Sequence, residues 1–169
     1  MISLALLLAS LSGLAWIIKG HADGPAPAAP AAASVSRELT RLDAFSFFVI
    51  PGVDFGADHV VVGATGAFAI RVGQATIDGN LRREIARARR AAKRVIQGAG
   101  VAAVHTSVRP ILCLPGRGFR PRTSRGVKVI PWGEVVSEVA ERQRTVTPHQ
   151  AQRVVEALAG FESSPLQAS

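Results

Sequence analysis

The residues whose types and spacing could do chemistry lie around one stretch, DHVVVGATGAFAIRVG, at 58–73. Asp58 and His59 open it, and Arg71 and Gly73 close it. An aspartate at a strand end is a ligand for a hard cation such as Mg²⁺, but such a site needs further carboxylates. Arg71 supplies the opposite charge, since a guanidinium is always protonated and has no lone pair for a metal. The stretch is therefore either a hairpin that presents catalytic residues or a hairpin whose only role is to pack in the hydrophobic core.

Other catalytic or metal-binding patterns are weak. The single Cys113 excludes an intramolecular disulfide and a multi-cysteine metal site, and its apolar surroundings predict an inert buried thiol. The turn GATG lacks the Gly-Lys-Ser/Thr ending of a phosphate loop, and no serine lies in a Gly-x-Ser-x-Gly elbow. The histidines show no metal-ligand spacing; they are His21, His59, His105 and His149.

The charge balance favours an anionic partner. The chain carries 20 Lys and Arg against 12 Asp and Glu, for a formal net charge of +8. Nucleic acid and an acidic lipid surface both fit this excess, and an arginine-rich composition with neither partner also fits it.

The basic residues are densest in LRREIARARRAAKRVIQ, residues 81–97, where the apolar positions repeat at helical spacing. On such a helix Arg83, Arg87, Arg90 and Arg94 fall in one row and can meet several phosphates. A solvated surface face, anionic lipid headgroups and a protein partner are the alternatives.

A second basic segment, the loop 116–126, carries Arg117 and Arg120 on either side of Phe119. Arginines interleaved with an aromatic ring can grip single-stranded nucleic acid, although a plain surface loop fits as well. The interpretation of these residues as a nucleic-acid surface is strengthened if this loop and the basic helix share a face.

The N-terminus predicts a membrane anchor. Residues 2–18 carry no charge, end at Lys19 and would span about 26 Å as a helix. No basic residue follows Met1 before the apolar run, so an uncleaved anchor is favoured over a signal peptide. Basic residues after the run place the remainder on the cytoplasmic side. We therefore expect a single-pass anchor at 1–19, a Pro/Ala-rich linker at 20–33, a domain at 34–161 and a disordered tail at 162–169.

The domain itself reads as an α/β fold, a mixed β-sheet flanked by helices. We expect a helix over 34–42 with Ser36 as its N-cap, and a long helix over 81–97 that ends at Gly98. Thr147, Pro148 and Gln150 predict the start of the last helix, and Gly160 its end. We also expect a helix at 132–143 and five strands, at 45–50, 59–62, 67–72, 108–114 and 127–130.

The block DFGADHVVVGATGAFAI, followed by the basic helix, VRPILCLPG and GVKVIPWGEV, resembles the nuclease-related domain (NERD) family. The resemblance covers residues 34–161 and implies a restriction-endonuclease-like core related to the PD-(D/E)xK nucleases. In that family a strand ending in Asp-His precedes a second strand ending in Glu-x-Lys. An Asp and the Glu bind Mg²⁺, and the Lys assists the attacking water.

This chain departs from the family pattern at the catalytic positions. Asp58 matches the Asp, whereas Arg71 and Gly73 stand where the family has Glu and Lys, and Glu38 loosely matches an upstream acid. The resemblance therefore implies vestigial roles for Asp58 and Glu38, no metal site, and an Arg71 that pairs with one of these two acids. We expect no cofactor and an inactive domain that binds DNA, RNA or a protein partner.

Two alternatives stay open. One is an active Mg²⁺-dependent nuclease with a rearranged site, for which Asp43, Asp54 and Asp78 are further candidate acids. The other is a purely structural membrane-associated domain. The sequence does not indicate an oligomeric state.

Overall fold

The structure is a computed structural model that describes residues 30–73, 81–103, 106–115 and 119–162. Within these ranges, a helix precedes a three-stranded meander, which is followed by a long helix, three more strands and two final helices. The helices are α1 (Pro30–Leu39), α2 (Leu81–Ala99), α3 (Val135–Ala140) and α4 (Pro148–Glu162). The strands are β1 (Phe47–Pro51), β2 (His59–Gly63), β3 (Gly66–Val72), β4 (Val108–Leu114), β5 (Arg122–Ser124) and β6 (Val127–Pro131).

The strands form one mixed six-stranded sheet in the order β1-β2-β3-β4-β6-β5. The first three are an antiparallel meander, in which His59 pairs with Ile70 and Gly63 with Gly66. The chain then crosses through α2, so that β4 joins β3 in parallel and β6 joins β4 in parallel. The predicted mixed α/β sheet flanked by helices is confirmed.

Alternate residues of the central strands bury opposite faces of the sheet. Val60 and Ala69 point toward a cluster shared with α2 and α4, whereas Val61 and Ile70 point toward α1 and α3. Because both faces are covered, β2 and β3 read as nearly continuous apolar runs.

The start of the domain differs from the prediction. Helix α1 begins at Pro30, so residues 30–33, assigned to the linker, form its first turn. Proline is compatible with this position because the first N–H groups of a helix have no intrahelical partner. Ser36 consequently lies inside the helix rather than at its cap, and its Oγ donates to the carbonyl of Ala32 at 3.0 Å.

Two predicted helix ends are wrong, because each helix continues through the glycine that was expected to end it. Helix α2 continues through Gly98 to Ala99, and α4 continues through Gly160 to Glu162. In the first case the turn into positive φ falls at Gly100, at 53°. Gly98 is packed instead of terminal, since a Cβ there would lie 2.6 Å from the Phe55 ring.

The last helix starts as predicted. The Thr147 Oγ1 accepts the Gln150 amide at 3.3 Å, and the Gln150 side chain accepts the Thr147 amide at 2.9 Å. This is a reciprocal capping box. The segment predicted as a helix over 132–143 is shorter: a 3₁₀ turn at Trp132–Glu134 leads into α3, which ends at Ala140. Strand β5 was not predicted.

The predicted anchor and the start of the linker lie outside the described residues, as do residues 163–169 of the tail. Across 30–73, 81–103, 106–115 and 119–162, we find no helix with the length and apolarity needed to cross a bilayer.

Candidate functional site

The candidate catalytic residues lie at one edge of the sheet. Strands β3, β4 and β6 are parallel and end together at Val72, Leu114 and Pro131. Asp58 precedes β2 at this same edge, because its amide donates to the carbonyl of Ile70 at 2.9 Å. In α/β sheets the carboxyl ends of parallel strands are the usual place for a ligand.

Asp58 is held by the backbone of the neighbouring strand. Its Oδ2 accepts the amide of Val72 at 2.8 Å, and its own carbonyl accepts the amide of Gly52 at 3.3 Å. The carboxylate therefore satisfies an amide at the end of β3, just beyond the paired part of the hairpin. This hydrogen bond gives Asp58 a structural role at the end of β3.

Arg71 pairs with an acid that the sequence did not single out. Its Nη2 lies 3.7 Å from Oε2 of Glu84 on α2, and its Nη1 donates to the carbonyl of Gly56 at 2.5 Å. The predicted pairing of Arg71 with Asp58 or Glu38 is therefore wrong. Asp58 is the nearest acid along the hairpin, but the crossover through α2 brings Glu84 onto the face that Arg71 shares.

Glu84 is almost fully buried, with 6% of its surface exposed. Its Oε1 also accepts a hydrogen bond from Nη1 of Arg87 at 2.7 Å. Two guanidinium groups thus neutralise one buried carboxylate, which a buried acid requires. The signal for this role was available in the sequence, since Glu84 is the one acid within the basic helix.

The position that corresponds to the catalytic lysine is closed by packing. A Cβ at Gly73 would lie 2.8 Å from the Leu114 side chain, 3.2 Å from Leu112 and 3.7 Å from Cγ of Glu84. Larger side chains at 73 would have to displace these leucines. Among the described residues no three His, Cys, Asp or Glu side chains are grouped so as to hold a metal ion. The candidate acid Asp78 lies outside those residues.

Glu38 lies on α1, which covers the opposite face of the sheet from α2. Its carboxylate accepts from Nη1 of Arg41 at 2.8 Å. The two acids proposed as vestigial, Asp58 and Glu38, are therefore held by different partners. Asp43 and Asp54 are exposed, and Asp43 accepts the hydroxyl of Ser46 at 2.7 Å.

A serine–histidine pair lies beside Asp58. Nε2 of His59 and Oγ of Ser36 are 3.0 Å apart. The hydroxyl proton of Ser36 is already donated to the carbonyl of Ala32, so we assign the proton of this contact to Nε2. Burial lowers the pKa of His59, with the charge of Asp58 opposing the shift. A neutral ring that donates to a serine joins α1 to β2 and does not activate a nucleophile.

Cys113 is completely buried in β4. Burial, reinforced by the negative charge of Asp58, raises the pKa of its thiol. The thiolate needed for nucleophilic or redox chemistry is disfavoured, which agrees with the predicted inert thiol.

Helix α2 presents the predicted arginine row to solvent. The row Arg83, Arg87, Arg90 and Arg94 is exposed, and so is a second row formed by Arg82, Arg89 and Lys93. The opposite side of the helix is buried through Ile85, Ala88 and Val95. We call these seven basic residues the α2 basic surface. Arg87 is paired with Glu84, and among the described residues the other six have no carboxylate partner.

The second basic segment is only partly described, because Arg117 lies outside the described residues. Phe119 packs on the cluster that contains Ile85 and Ala88 of α2, and Arg120 is exposed beside it. The described end of the loop therefore adjoins the N-terminal half of the basic helix. Phe119 packs toward the buried side of α2 and not toward the arginine rows.

We compared the chain with known proteins to see whether this arrangement has a precedent. No family model, curated protein or solved structure matches it.

Proposed function

We propose that this chain is a membrane-tethered domain of the nuclease-related type that has lost cleavage and binds nucleic acid through the α2 basic surface. The observation that carries the proposal is the set of six exposed cations on one helix that have no carboxylate partner among the described residues.

The loss of cleavage is supported by the contacts of the hairpin. The Arg71 guanidinium occupies the face where the resemblance requires a metal-binding glutamate, and it is paired with Glu84. Leu112 and Leu114 crowd the position of Gly73, where the resemblance requires a lysine. Asp58 alone, with one oxygen bound to an amide, is a poor site for Mg²⁺, which requires near-octahedral oxygen coordination.

Nucleic-acid binding is supported by the length and density of the basic rows. From Arg83 to Arg94 the helix rises about 16 Å. A nucleic-acid duplex carries about one negative charge per 1.7 Å of its axis, so several phosphates face a stretch of this length. Arginine suits them because its planar guanidinium binds phosphate oxygens in pairs.

The proposal also includes a restriction-endonuclease-like core and a membrane tether, both of which were expected from the sequence. A restriction-endonuclease-like core accords with a meander, a helical crossover and parallel strands that gather Asp58 and Arg71 at one edge. The membrane tether rests on the uncharged residues 2–18 alone. Tethering would place the basic domain on the cytoplasmic side.

The test is a binding titration of the full chain, solubilised in a neutral detergent, with labelled DNA and RNA over a range of salt concentrations. We expect log K to fall linearly with log salt. The double variant Arg83→Glu/Arg90→Glu should bind at least tenfold more weakly, with a salt slope smaller by about two. Its matched control is Arg144→Glu/Arg153→Glu, which changes net charge equally at two exposed positions outside α2.

Each outcome bears on a separate part of the proposal. Equal losses in the two double variants, or no salt-dependent binding, would overturn the assignment to the α2 basic surface. Binding to anionic lipid vesicles without binding to nucleic acid would overturn it in favour of a membrane partner. Degradation of DNA that requires Mg²⁺ and disappears in Asp58→Ala would overturn the loss of cleavage.

A further inference from the structure

A cavity of about 630 Å³ opens at the carboxyl end of β6. It lies where α1, the segment before β5 and the turn after β6 meet. The side chains that determine its chemistry are Arg37, Glu38, Phe119, Arg120, Trp132 and Glu134. Its volume falls within the range of about 300–1,000 Å³ that is usual for small-ligand sites.

The two aromatic rings of the cavity are anchored in the core. Trp132 packs on the cluster that contains Val35 and Val135, and Phe119 packs on the cluster that contains Ile85. Both remain half-buried, so each ring is fixed on one side and available on the other. Rings held in this way are platforms for a flat aromatic ligand, since their positions are set before the ligand arrives.

The charged groups around the rings suit a nucleotide. Arg37 and Arg120 are exposed, and among the described residues neither has a carboxylate partner. Guanidinium groups can bind a phosphate, and the carboxylate of Glu134 can accept from the amino group of a base. Glu38 is already paired with Arg41.

One residue of the cavity also packs on the cluster that holds the buried side of α2. Phe119 lines the cavity and also packs on the cluster that holds Ile85 and Ala88 of α2. Phe119 therefore lies between the cavity and the N-terminal half of α2. Bases of a duplex are stacked and paired, so only an unpaired base can enter.

We propose that this cavity binds one nucleotide of a single-stranded nucleic acid, with its base against Trp132 and Phe119 and its phosphate at Arg37 and Arg120. The inference rests on the proposed function and deepens it, because it makes single strands the preferred partner. The α2 basic surface then supplies affinity that is independent of sequence, and the cavity supplies the distinction between single and double strands.

The first test uses the fluorescence of Trp132. The chain has two tryptophans, so the full-length variant Trp16→Phe leaves Trp132 as the reporter. We expect a nucleoside monophosphate to quench its emission and inorganic phosphate to leave it unchanged. Absence of quenching by the nucleotide, or an equal effect of inorganic phosphate, would overturn the proposal.

The second test compares single-stranded and duplex oligonucleotides of equal length. Trp132→Leu and Phe119→Ala should each weaken single-strand binding at least fivefold and leave duplex binding unchanged, because stacking on an aromatic ring acts on unpaired bases. Arg120→Glu changes an exposed side chain and should do the same even if an aromatic variant fails to fold. The control is Arg153→Glu on the outer face of α4, which should change neither affinity.

The two proposals fail in different ways. If the α2 variants weaken binding while the cavity variants leave single-strand binding intact, the cavity proposal is overturned and the proposed function stands. If no nucleic acid binds at all, the proposed function is overturned. Quenching of Trp132 by a mononucleotide would then support the cavity as an independent nucleotide site.

Discussion

Nη2 of Arg71 at the end of β3 lies 3.7 Å from Oε2 of Glu84 at the start of α2. This ion pair joins the candidate catalytic hairpin to the basic helix. Glu84 also binds Arg87, so one buried carboxylate holds together a strand arginine and a helix arginine. Glu84 thus binds the arginine at the candidate catalytic edge and an arginine of α2.

Replacing Glu84 by Gln should lower the free energy of unfolding by about 2 kcal/mol. The buried amide cannot neutralise the guanidinium groups of Arg71 and Arg87, and uncompensated buried charge is costly. The loss is moderated because the side chain of Arg87 is 51% exposed. Urea unfolding measures the change, with the exposed Glu156→Gln on α4 as a control that should shift stability by less than about 0.5 kcal/mol. Equal effects would contradict a structural role for the ion pair.

Replacing Asp58 by Ala should cost about 1–2 kcal/mol because the amide of Val72 loses its acceptor. Asp58→Asn should cost much less, since its side-chain oxygen can accept the same hydrogen bond. Thermal unfolding of the two variants measures the difference. If Asp58 instead bound a catalytic metal ion, both substitutions would lower activity and neither would change stability.

Arg71→Glu should create a site whose stability responds to divalent cations. The substitution places a second carboxylate beside Glu84, so their repulsion should lower the melting temperature by several degrees. Mn²⁺ or Mg²⁺ should recover part of the loss, because hard divalent cations bind clustered carboxylate oxygens. Melting curves with EDTA and with excess cation measure this. We expect the unsubstituted chain to melt at the same temperature in both, and an identical loss with and without cation would exclude the latent site.

His59 should make stability decrease as pH falls from about 6.5 to 5.5. Burial lowers its pKa in the folded state, so the unfolded chain binds more protons near pH 6 and unfolding is favoured by acid. The contribution is absent above the ordinary histidine value of about 6.5 and grows below it. Asp43, whose pKa is lowered by the hydroxyl of Ser46, contributes only at more acidic pH.

Urea midpoints at several pH values measure the histidine contribution. His59→Gln should flatten the dependence over this range, whereas His149→Gln, at an exposed position on α4, should leave it unchanged. A similar flattening by both substitutions would show that His59 is not the source.

Two glycines in helices should respond to alanine with opposite signs. Gly98→Ala should destabilise by about 1–3 kcal/mol, because its Cβ would lie 2.6 Å from the Phe55 ring, which is stacked on Phe161. Gly160→Ala has open space around it and should stabilise α4 by about 0.5 kcal/mol through helix propensity. Chemical unfolding of both variants is the test, and stabilisation by both would contradict the close packing at Gly98.

Local patterns in the sequence determined most of the elements of the described fold. The β-branched runs flanking Gly63 and Gly66 predicted β2 and β3, and the apolar spacing of 81–97 predicted α2. Thr147 and Gln150 predicted a helix start that the capping box confirms. These features depend on neighbours a few residues apart, so periodicity and capping chemistry suffice to find them.

Only the tertiary structure decided which charges meet. Arg71 and Glu84 are 13 positions apart and belong to elements of different type, joined by the crossover between β3 and β4. Asp58 is also 13 positions from Arg71, and the family resemblance pointed to Asp58 or Glu38. The parallel pairing of β4 sets where α2 lies and hence which acid faces Arg71. Gly98 and Gly160 likewise look like helix ends locally, although both helices continue through them and at Gly98 distant side chains exclude a larger residue. The cavity beside Trp132 is built from three separate segments, so no local pattern contains it.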